Sequence, residues 1–163
     1  MEKGENIAIK LGEFWPYKAV FLADQISRFT LSVAREAENL NLSQWRVLAA
    51  IAEKPGITAA RVTRVTPMDK TIVSRAVQSL IRLKLIRKLP DENDKRRICL
   101  NTTQKGHEVY IDIASKLSST LTPDKEQDEK AQQLLSLLDD FIKRLDDIKP
   151  SRGSCHINLR ISG

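Results

Sequence analysis

A strongly hydrophilic segment, PDENDKRR, occupies residues 90–97. It lies between the apolar runs LIRKL and ICL, and it carries three consecutive cations, Lys95, Arg96 and Arg97, directly after Asp94. Lysine and arginine bind phosphate oxygens, and a guanidinium can also enter a narrow DNA groove where the negative potential is strong. A turn that only reverses the chain does not need these cations, so the segment predicts an anionic partner.

A second group of candidate residues lies just upstream, in KTIVSRAVQSLIR at residues 70–82. At about 100° per residue, its apolar side chains fall within one half of a helical wheel and are predicted to face inward. These apolar residues are Ile72, Val73, Ala76, Val77 and Leu80. The other half offers hydroxyl, amide and cationic groups, without a carboxylate, that can pair with base edges and phosphates in a major groove. The candidate DNA-binding residues here are Lys70, Thr71, Ser74, Arg75 and Gln78, with Arg82 on the same half.

The composition also favours an anionic partner. The chain has 163 residues, of which 41% are hydrophobic and 29% charged, so it is long enough for a globular domain with its own core. Lysine and arginine outnumber aspartate and glutamate by 27 to 21, which gives a net charge of +6. A polar helix face is more often simply solvated, but such a face directly before a basic segment favours nucleic acid.

The sequence further predicts a cytoplasmic protein. It contains neither a leader with an apolar core nor an apolar run that approaches the roughly 18 residues of a membrane span. A helix that lies on an anionic membrane is disfavoured, because the last predicted helix carries four carboxylates on its polar side, at Asp139, Asp140, Asp146 and Asp147. The two cysteines, Cys99 and Cys155, are far apart and are predicted to be reduced thiols.

The secondary structure that surrounds the candidate residues is predicted to be mostly helical. Four helices are predicted before the basic segment: from about Pro16 to Leu40, from the N-cap Ser43 to Pro55, from the N-cap Thr58 to before Pro67, and from about Asp69 to Leu83. The runs LIRKL and RICLN alternate apolar and polar residues, which predicts the two strands of a hairpin. Two further helices have apolar stripes at Val109, Tyr110, Ile113, Leu117 and Leu121, and at Leu134, Leu138, Phe141, Leu145 and Ile148. This order predicts a mainly α fold with a small β-hairpin wing, a winged helix-turn-helix with long N- and C-terminal helices.

The segments MDKTIVSRAVQSLIRLKLI and DENDKRRICLNTTQKG resemble the multiple-antibiotic-resistance regulator (MarR) family of bacterial transcription factors. The similarity is densest from about Leu42 to Gly106. It implies that residues 70–82 form a recognition helix and that the hairpin is a wing that reaches into the minor groove. The chain departs from the family pattern at Lys84, where members usually have glycine, so the turn into the first strand is expected to be strained.

In the wing, the resemblance implies separate roles for the charges. Asp94 is expected to orient Arg96, which enters the minor groove, while Lys95 and Arg97 contact flanking phosphates. A guanidinium that is held in position before binding loses less entropy on insertion. The remaining acids of the segment, Asp91 and Glu92, are interpreted as charges that limit nonspecific affinity.

The flanking helices resemble the dimerisation arms of the family, and their apolar stripes need a cover that a small winged region does not provide. We therefore expect a homodimer on a pseudo-palindromic operator, and an intramolecular bundle of these helices is the alternative. The predicted division is an N-terminal dimerisation arm at 1–41, a winged helix-turn-helix region at 42–102, C-terminal dimerisation helices at 103–149 and a tail of unknown order at 150–163.

The resemblance also implies a small aromatic or anionic effector, because family members often bind such compounds between the dimer arms and the winged region. Candidate ligand-binding residues are Trp15, Tyr17, Phe21 and Trp45. Aromatic residues at helical spacing more often pack in a core or a dimer interface, and this alternative stays open.

An enzymatic function is not expected. The two histidines, His107 and His156, lie outside any nucleophile motif, and Cys155 with His156 lacks the second pair of ligands that a metal site needs. Neither a metal nor a cofactor is therefore predicted. The sequence predicts a ligand-responsive repressor that binds double-stranded DNA, and the alternative is a dimeric protein-interaction or scaffold module without specific DNA binding.

Overall fold

The computed structural model describes residues 9–91, 94, 96–121 and 128–148. Within them, six helices and one two-stranded antiparallel sheet follow one another, which confirms the predicted mainly α fold with a small hairpin. The elements are α1 Trp15–Glu38, α2 Leu42–Glu53, α3 Ala59–Val65, α4 Lys70–Arg82, β1 Ile86–Pro90, β2 Ile98–Thr102, α5 Gln104–Leu121 and α6 Asp128–Asp147. The chain divides into two compact units, Met1–Leu121 and Thr122–Gly163.

Helix α1 is buried over its second half only. Pro16 lies in its first turn, where a missing N–H costs no hydrogen bond, and Asn39 ends it with a left-handed φ of 50°. Its buried residues are Thr30, Val33 and Ala34. Toward the N-terminus of α1, the apolar residues Leu22 and Ile26 are exposed. The first half of α1 therefore presents apolar side chains to solvent.

Helix α2 begins with a capping box at Asn41, so the prediction of Ser43 as its N-cap is wrong. Asn41 Oδ1 accepts a hydrogen bond from the Gln44 N–H at 2.9 Å, and Gln44 Oε1 accepts one from the Asn41 N–H at 2.7 Å. This reciprocal pair satisfies two backbone donors at the start of the helix. Ser43 is the second residue inside the helix, so it cannot be the N-cap.

Helices α3 and α4 form the helix-turn-helix; α3 begins at the predicted N-cap Thr58, and the N-cap of α4 is Asp69, where that helix was predicted to start. Thr58 Oγ1 accepts a hydrogen bond from the Arg61 N–H at 3.3 Å. Asp69 Oδ1 accepts one from the Ile72 N–H at 2.8 Å. The residues of α4 that are buried are Val73, Ala76, Val77 and Leu80. The prediction that Ile72 faces inward is wrong: it lies roughly a quarter turn from the centre of this stripe and is exposed.

The core joins α1, α2, α4 and α5 to the hairpin. Its fully buried residues include Leu40, Leu48, Ile51, Leu80, Leu85, Leu100 and Ile113. Burial of one such aliphatic side chain stabilises the fold by about 1.5–3 kcal/mol. Trp45 of α2 stacks on Tyr110 of α5, with ring centroids 5.8 Å apart, so the helix after the hairpin is fixed to a helix before it.

The turn from α4 into β1 has the hydrogen bonds of a Schellman motif. The Leu85 N–H donates to the Leu80 carbonyl at 3.0 Å. The Lys84 N–H donates to the Ile81 carbonyl at 2.9 Å. Lys84 has a φ of 58°, in the left-handed region that favours glycine, which confirms the expected strain. This conformation costs about 1–2 kcal/mol and is held by the two hydrogen bonds and by the burial of Leu85.

The hairpin is attached to the body of the protein along β2. Both strands begin one residue later than predicted, because Leu85 belongs to the turn before β1 and Arg97 belongs to the hairpin tip before β2. The Leu100 N–H donates to the Ile57 carbonyl at 2.9 Å, and the Gly56 N–H donates to the Leu100 carbonyl at 3.0 Å. These bonds join the hairpin to the loop between α2 and α3.

Helix α5 is joined to the base of the hairpin through Thr103 and Gly106. The Thr103 N–H donates to the Leu85 carbonyl at 2.9 Å, and the Thr103 hydroxyl donates to the Lys84 carbonyl at 2.7 Å. The Gly106 N–H donates to Thr103 Oγ1 at 3.0 Å. Gly106 lies so close to the Leu85 carbonyl that a Cβ would overlap its oxygen atom. The position therefore requires glycine.

Helix α6, in the second unit, carries the predicted apolar stripe. Its exposed members are Leu134, Leu138, Leu145 and Ile148, and Phe141 is half-buried. Within residues 9–91, 96–121 and 128–148, none of the helices has the length and hydropathy needed to traverse a lipid bilayer.

Candidate nucleic-acid interface

The exposed face of α4 contains all the residues that the sequence assigns to the recognition helix. These residues are Lys70, Thr71, Ser74, Arg75 and Gln78. On the other side of the helix, Gln44 Nε2 donates a hydrogen bond to Ser79 Oγ at 2.7 Å, next to the buried apolar stripe. The hydrogen bond and the stripe together fix the rotation of α4, so the polar face is held toward solvent.

The charge of the α4 face suits an anion. The one carboxylate next to it in sequence, that of Asp69, is engaged as the N-cap of the helix. Among the ion pairs of the described residues, none includes Lys70, Arg75 or Arg82. Within that part of the chain, these cations are therefore available for phosphate oxygens or base edges.

The tip of the hairpin, residues 91–97, is closed by hydrogen bonds around Asp94. Asp94 Oδ1 accepts a hydrogen bond from the Arg96 N–H at 3.0 Å, and the Asp94 carbonyl accepts one from the Arg97 N–H at 2.8 Å. No ion pair among the described residues joins the Asp94 and Arg96 side chains. Asp94 thus contacts the main chain of Arg96, and the side chain of Arg96 is exposed. Lys95 lies outside the described residues.

The carboxylate of Asp91 points into the base of the tip, where the sequence had suggested a surface charge. Its Oδ1 accepts a hydrogen bond from the Asp94 N–H at 3.2 Å, and its Oδ2 lies 4.0 Å from Arg97 Nε. The side chain is 21% exposed. Asp91 therefore organises the tip, a role that was not predicted from the sequence. The available signal was an aspartate directly after Pro90, since Asp commonly hydrogen-bonds the backbone of a turn. Its neighbour Glu92 lies outside the described residues.

Cys99 is a buried free thiol on β2. Its Sγ donates a hydrogen bond to Asp91 Oδ2 at 3.4 Å. Burial raises the pKa of the Cys99 thiol, and the hydrogen bond and negative charge of Asp91 raise it further, against a smaller opposing effect of Arg97. The thiol is therefore held protonated. The other cysteine, Cys155, lies outside the described residues.

The four aromatic residues considered for effector binding lie in two different environments. Trp45 is 8% exposed and belongs to the core, where it stacks on Tyr110. The other three, Trp15, Tyr17 and Phe21, are exposed on the first half of α1. The structure thus places three of the four on one helix and the fourth inside the protein, and their binding of an effector stays a prediction.

Metal-ligating residues do not cluster in the described part of the chain. No group of three or more His, Cys, Asp and Glu side chains that could hold a metal ion occurs there. His107 is exposed in the first turns of α5, with its ring 6.3 Å from that of Tyr110. His156 lies outside the described residues.

The region that contains both candidate DNA-binding elements is similar to known regulators. The model of the MarR family matches residues 38–97. An uncharacterized HTH-type transcriptional regulator of Bacillus subtilis (strain 168), YybA, is 36% identical over 72 residues, which cover 44% of this chain and 48% of that protein. The matched region thus spans about half of the length of this relative.

Two further proteins are similar over a larger part of the chain. The homoprotocatechuate degradative operon repressor of Escherichia coli is 29% identical over 110 residues, which cover 64% of this chain and 72% of the repressor. A crystal structure of a MarR/EmrR family transcriptional regulator from Acinetobacter sp. ADP1 has a TM-score of 0.72 at 23% identity, and the match covers 85% of this chain and 99% of that one. The structural similarity shows a common fold.

Proposed function

We propose that this chain belongs to the MarR family and is a sequence-specific double-stranded DNA-binding transcription regulator. The observation that carries the proposal is the succession, within residues 70–97, of an exposed helix face without carboxylates and an exposed hairpin tip with arginines. An α-helix fits the major groove of B-DNA, and an arginine fits the narrow minor groove.

In the major groove, Arg75 and Gln78 are proposed to read base edges, because they lie at the centre of the exposed α4 face. A guanidinium can donate two hydrogen bonds to guanine, and a glutamine amide can pair with adenine. Residues nearer the start of the helix are proposed to contact phosphates as well as bases. These residues are Lys70, Thr71 and Ser74.

In the minor groove, Arg96 is proposed to insert from the tip of the wing, with Lys95 and Arg97 on flanking phosphates. The hydrogen bond from the Arg96 N–H to Asp94 supports this role, because it fixes the main chain at the base of the inserting side chain. A preorganised arginine loses less conformational freedom on binding than a mobile one.

The regulator is proposed to act as a homodimer on a pseudo-palindromic operator. Exposed apolar side chains on the first half of α1 and along α6 support an isologous interface. Residues 1–41 and 103–149 would then form the dimerisation arms around a DNA-binding region at 42–102. The proposed tail, 150–163, lies outside the described residues.

We further propose that the protein is a cytoplasmic repressor without enzymatic activity, controlled by a small aromatic or anionic effector. Its Escherichia coli relative is named as the repressor of a homoprotocatechuate degradative operon, and homoprotocatechuate is a small aromatic acid. The exposed aromatic residues of α1 are the proposed contacts of the effector. Trp45 is buried in the core, so any effect of Trp45 on binding would be indirect. The exposed candidates are Trp15, Tyr17 and Phe21.

Selection of bound sequences from random duplex DNA tests the DNA-binding proposal. We expect a two-fold symmetric consensus, and Arg75→Ala and Gln78→Ala should each lose about 1–3 kcal/mol of discrimination at one base position per half-site. The matched control is Arg35→Ala, which removes an exposed cation from α1 and should leave the consensus unchanged. Recovery of no consensus by the wild type would favour the interaction or scaffold module, and an unchanged consensus in both α4 variants would remove α4 from the major groove.

The dimer is tested separately by Leu138→Glu. An unpaired carboxylate within the buried stripe of an interface is costly, so dimerisation and operator binding should weaken together. Gln132→Glu is the matched control, because it adds the same charge on the opposite side of α6. Sedimentation velocity measures the dimerisation, and a wild type that remains monomeric at micromolar concentration would contradict the two-fold operator.

A further inference from the structure

Helix α3 lies between two open crevices, and Arg64 lines both of them. The first, the α4–wing crevice, has a volume of about 510 Å³. Its polar lining comes from three elements, with Thr63 and Arg64 from α3, Lys70, Ser74 and Gln78 from α4, and Lys88 from β1. Most of its other lining residues are apolar. The two proposed DNA-binding elements are thus separated by a channel with cations on each wall.

The second crevice, the α3–loop crevice, has a volume of about 600 Å³ and lies on the other side of Arg64. Its lining includes Lys54, Arg61 and Arg97 as well. None of the described residues that line either crevice is an aspartate or a glutamate. The six cations that line the two crevices are here called the basic band: Lys54, Arg61, Arg64, Lys70, Lys88 and Arg97.

The cations of this band are largely unpaired within the described part of the chain. Arg97 approaches Asp91 at 4.0 Å, and no ion pair among the described residues includes the other five. The other five are Lys54, Arg61, Arg64, Lys70 and Lys88. Unpaired like charges at this density repel one another, so a polyanion that binds along the band relieves the repulsion.

We propose that the band binds the phosphodiester strand that separates the two grooves of the operator, with Arg64 as its central contact. The inference rests on the proposed DNA-binding function. If α4 lies in a major groove and the wing lies in the adjacent minor groove, the strand between these grooves must pass over the space between α4 and the wing. That space is the α4–wing crevice, and Arg64 and Lys88 stand on its walls.

The distribution of the cations fits a nucleic-acid backbone better than a free anion. A site for a single phosphate needs donors that converge on one point, whereas these cations extend from Lys88 across Arg64 to Lys54 and Arg61 along two adjoining crevices. Successive phosphates of a DNA strand require such a row of charges. The contacts carry no base information, so they set affinity and register on the duplex.

The test compares Arg64→Gln and Lys88→Gln with Arg35→Gln, which removes an exposed cation outside both crevices. Fluorescence anisotropy measures binding to the selected operator and to a shuffled duplex of equal length over a range of salt concentrations. Each band variant should weaken binding to both duplexes by the same factor. The slope of log affinity against log salt should become shallower by about 0.9 for each protomer, while the control keeps the wild-type slope.

The outcomes separate this inference from the proposed function. If wild type selects an operator but both band variants keep its slope, the band inference is wrong and the function stands. A wild type without salt-dependent duplex binding would contradict the function itself. Inorganic phosphate is titrated against the duplex at constant ionic strength; displacement by millimolar phosphate that is lost in Arg64→Gln would overturn the strand assignment in favour of a free-anion site.

Discussion

The Cys99 thiol donates a hydrogen bond to the Asp91 carboxylate at 3.4 Å, which joins the second strand of the hairpin to the residue that follows the first. The same carboxylate accepts the Asp94 N–H, and Asp94 in turn accepts the Arg96 N–H. A chain of hydrogen bonds thus leads from a buried thiol to the residue proposed to enter the minor groove. Each residue in this chain of hydrogen bonds can be substituted separately.

We expect Asp91→Asn to make Cys99 more reactive. Asparagine keeps an oxygen acceptor for the Asp94 N–H but removes the negative charge that raises the pKa of the Cys99 thiol. The pKa should therefore fall toward its usual value, the thiolate fraction at pH 8 should rise, and alkylation should become faster. The rate is measured in a Cys155→Ser background, where Cys99 is the one remaining thiol. An equal or slower rate would show that burial alone controls the thiol.

A double-mutant cycle tests whether Asp94 supports Arg96. Arg96→Ala should weaken operator binding and its salt dependence, because a cation that displaces counterions is lost. Simple electrostatics predicts tighter binding for Asp94→Ala, whereas loss of the hydrogen bond to the Arg96 N–H predicts weaker binding. We expect weaker binding, and a double variant little worse than Arg96→Ala alone. Binding isotherms at matched salt measure the affinities of the three variants. Tighter binding by Asp94→Ala would mean that Asp94 is only a solvated loop charge, and additive losses would mean that it does not act through Arg96.

Gly106→Ala should destabilise the protein although alanine is the better helix former. The gain in helix propensity is about 1 kcal/mol, and the overlap of the new methyl group with the Leu85 carbonyl oxygen costs more, since both are held by backbone. We expect a net loss of about 1–3 kcal/mol in denaturant unfolding. Gly12→Ala is the control, because no atom lies near its Cβ position. Equal effects of the two substitutions would contradict the close approach at Gly106.

Lys84→Gly should stabilise the protein by about 0.5–1 kcal/mol. Glycine adopts the left-handed φ without strain, and the strain energy that is removed is larger than the backbone entropy that glycine loses on folding. Lys54 also follows a helix, but it has a φ of −131°, so Lys54→Gly should instead be destabilising by about 0.5–1 kcal/mol. Thermal unfolding of the two variants gives the comparison. A lower melting temperature for Lys84→Gly would show that the lysine side chain makes a larger contribution than the strain.

The sequence predicts the structural elements that depend on residues close to one another in the chain. The inward face of α4 follows from its apolar period, and Thr58 and Asp69 are N-caps because a short polar side chain can reach the free N–H groups of the first turn. Helical periodicity predicts burial less well for residues at the edge of an apolar stripe, and the prediction for Ile72 was wrong for this reason.

The residues that the sequence did not identify depend on contacts between distant segments. The inward direction of Asp91 is set by the pairing of the two strands, which brings Cys99 next to it. Arg64 lies on a helix too short to show a period, and its position between the crevices follows from the packing of α3 beside α4 and the hairpin. Neither arrangement has a signal in a local sequence window.

The attachment of α5 at Thr103 and Gly106 has a mechanical consequence. Both residues contact Leu85 at the point where the chain leaves α4 and enters the hairpin, so we expect α5 and the wing to move together. A displacement of α5 by a second copy or a small molecule would then carry Leu85 with it and change the angle between the wing and α4. A bound small molecule would not need to touch a DNA-binding side chain to change the distance between the parts that are proposed to enter adjacent grooves.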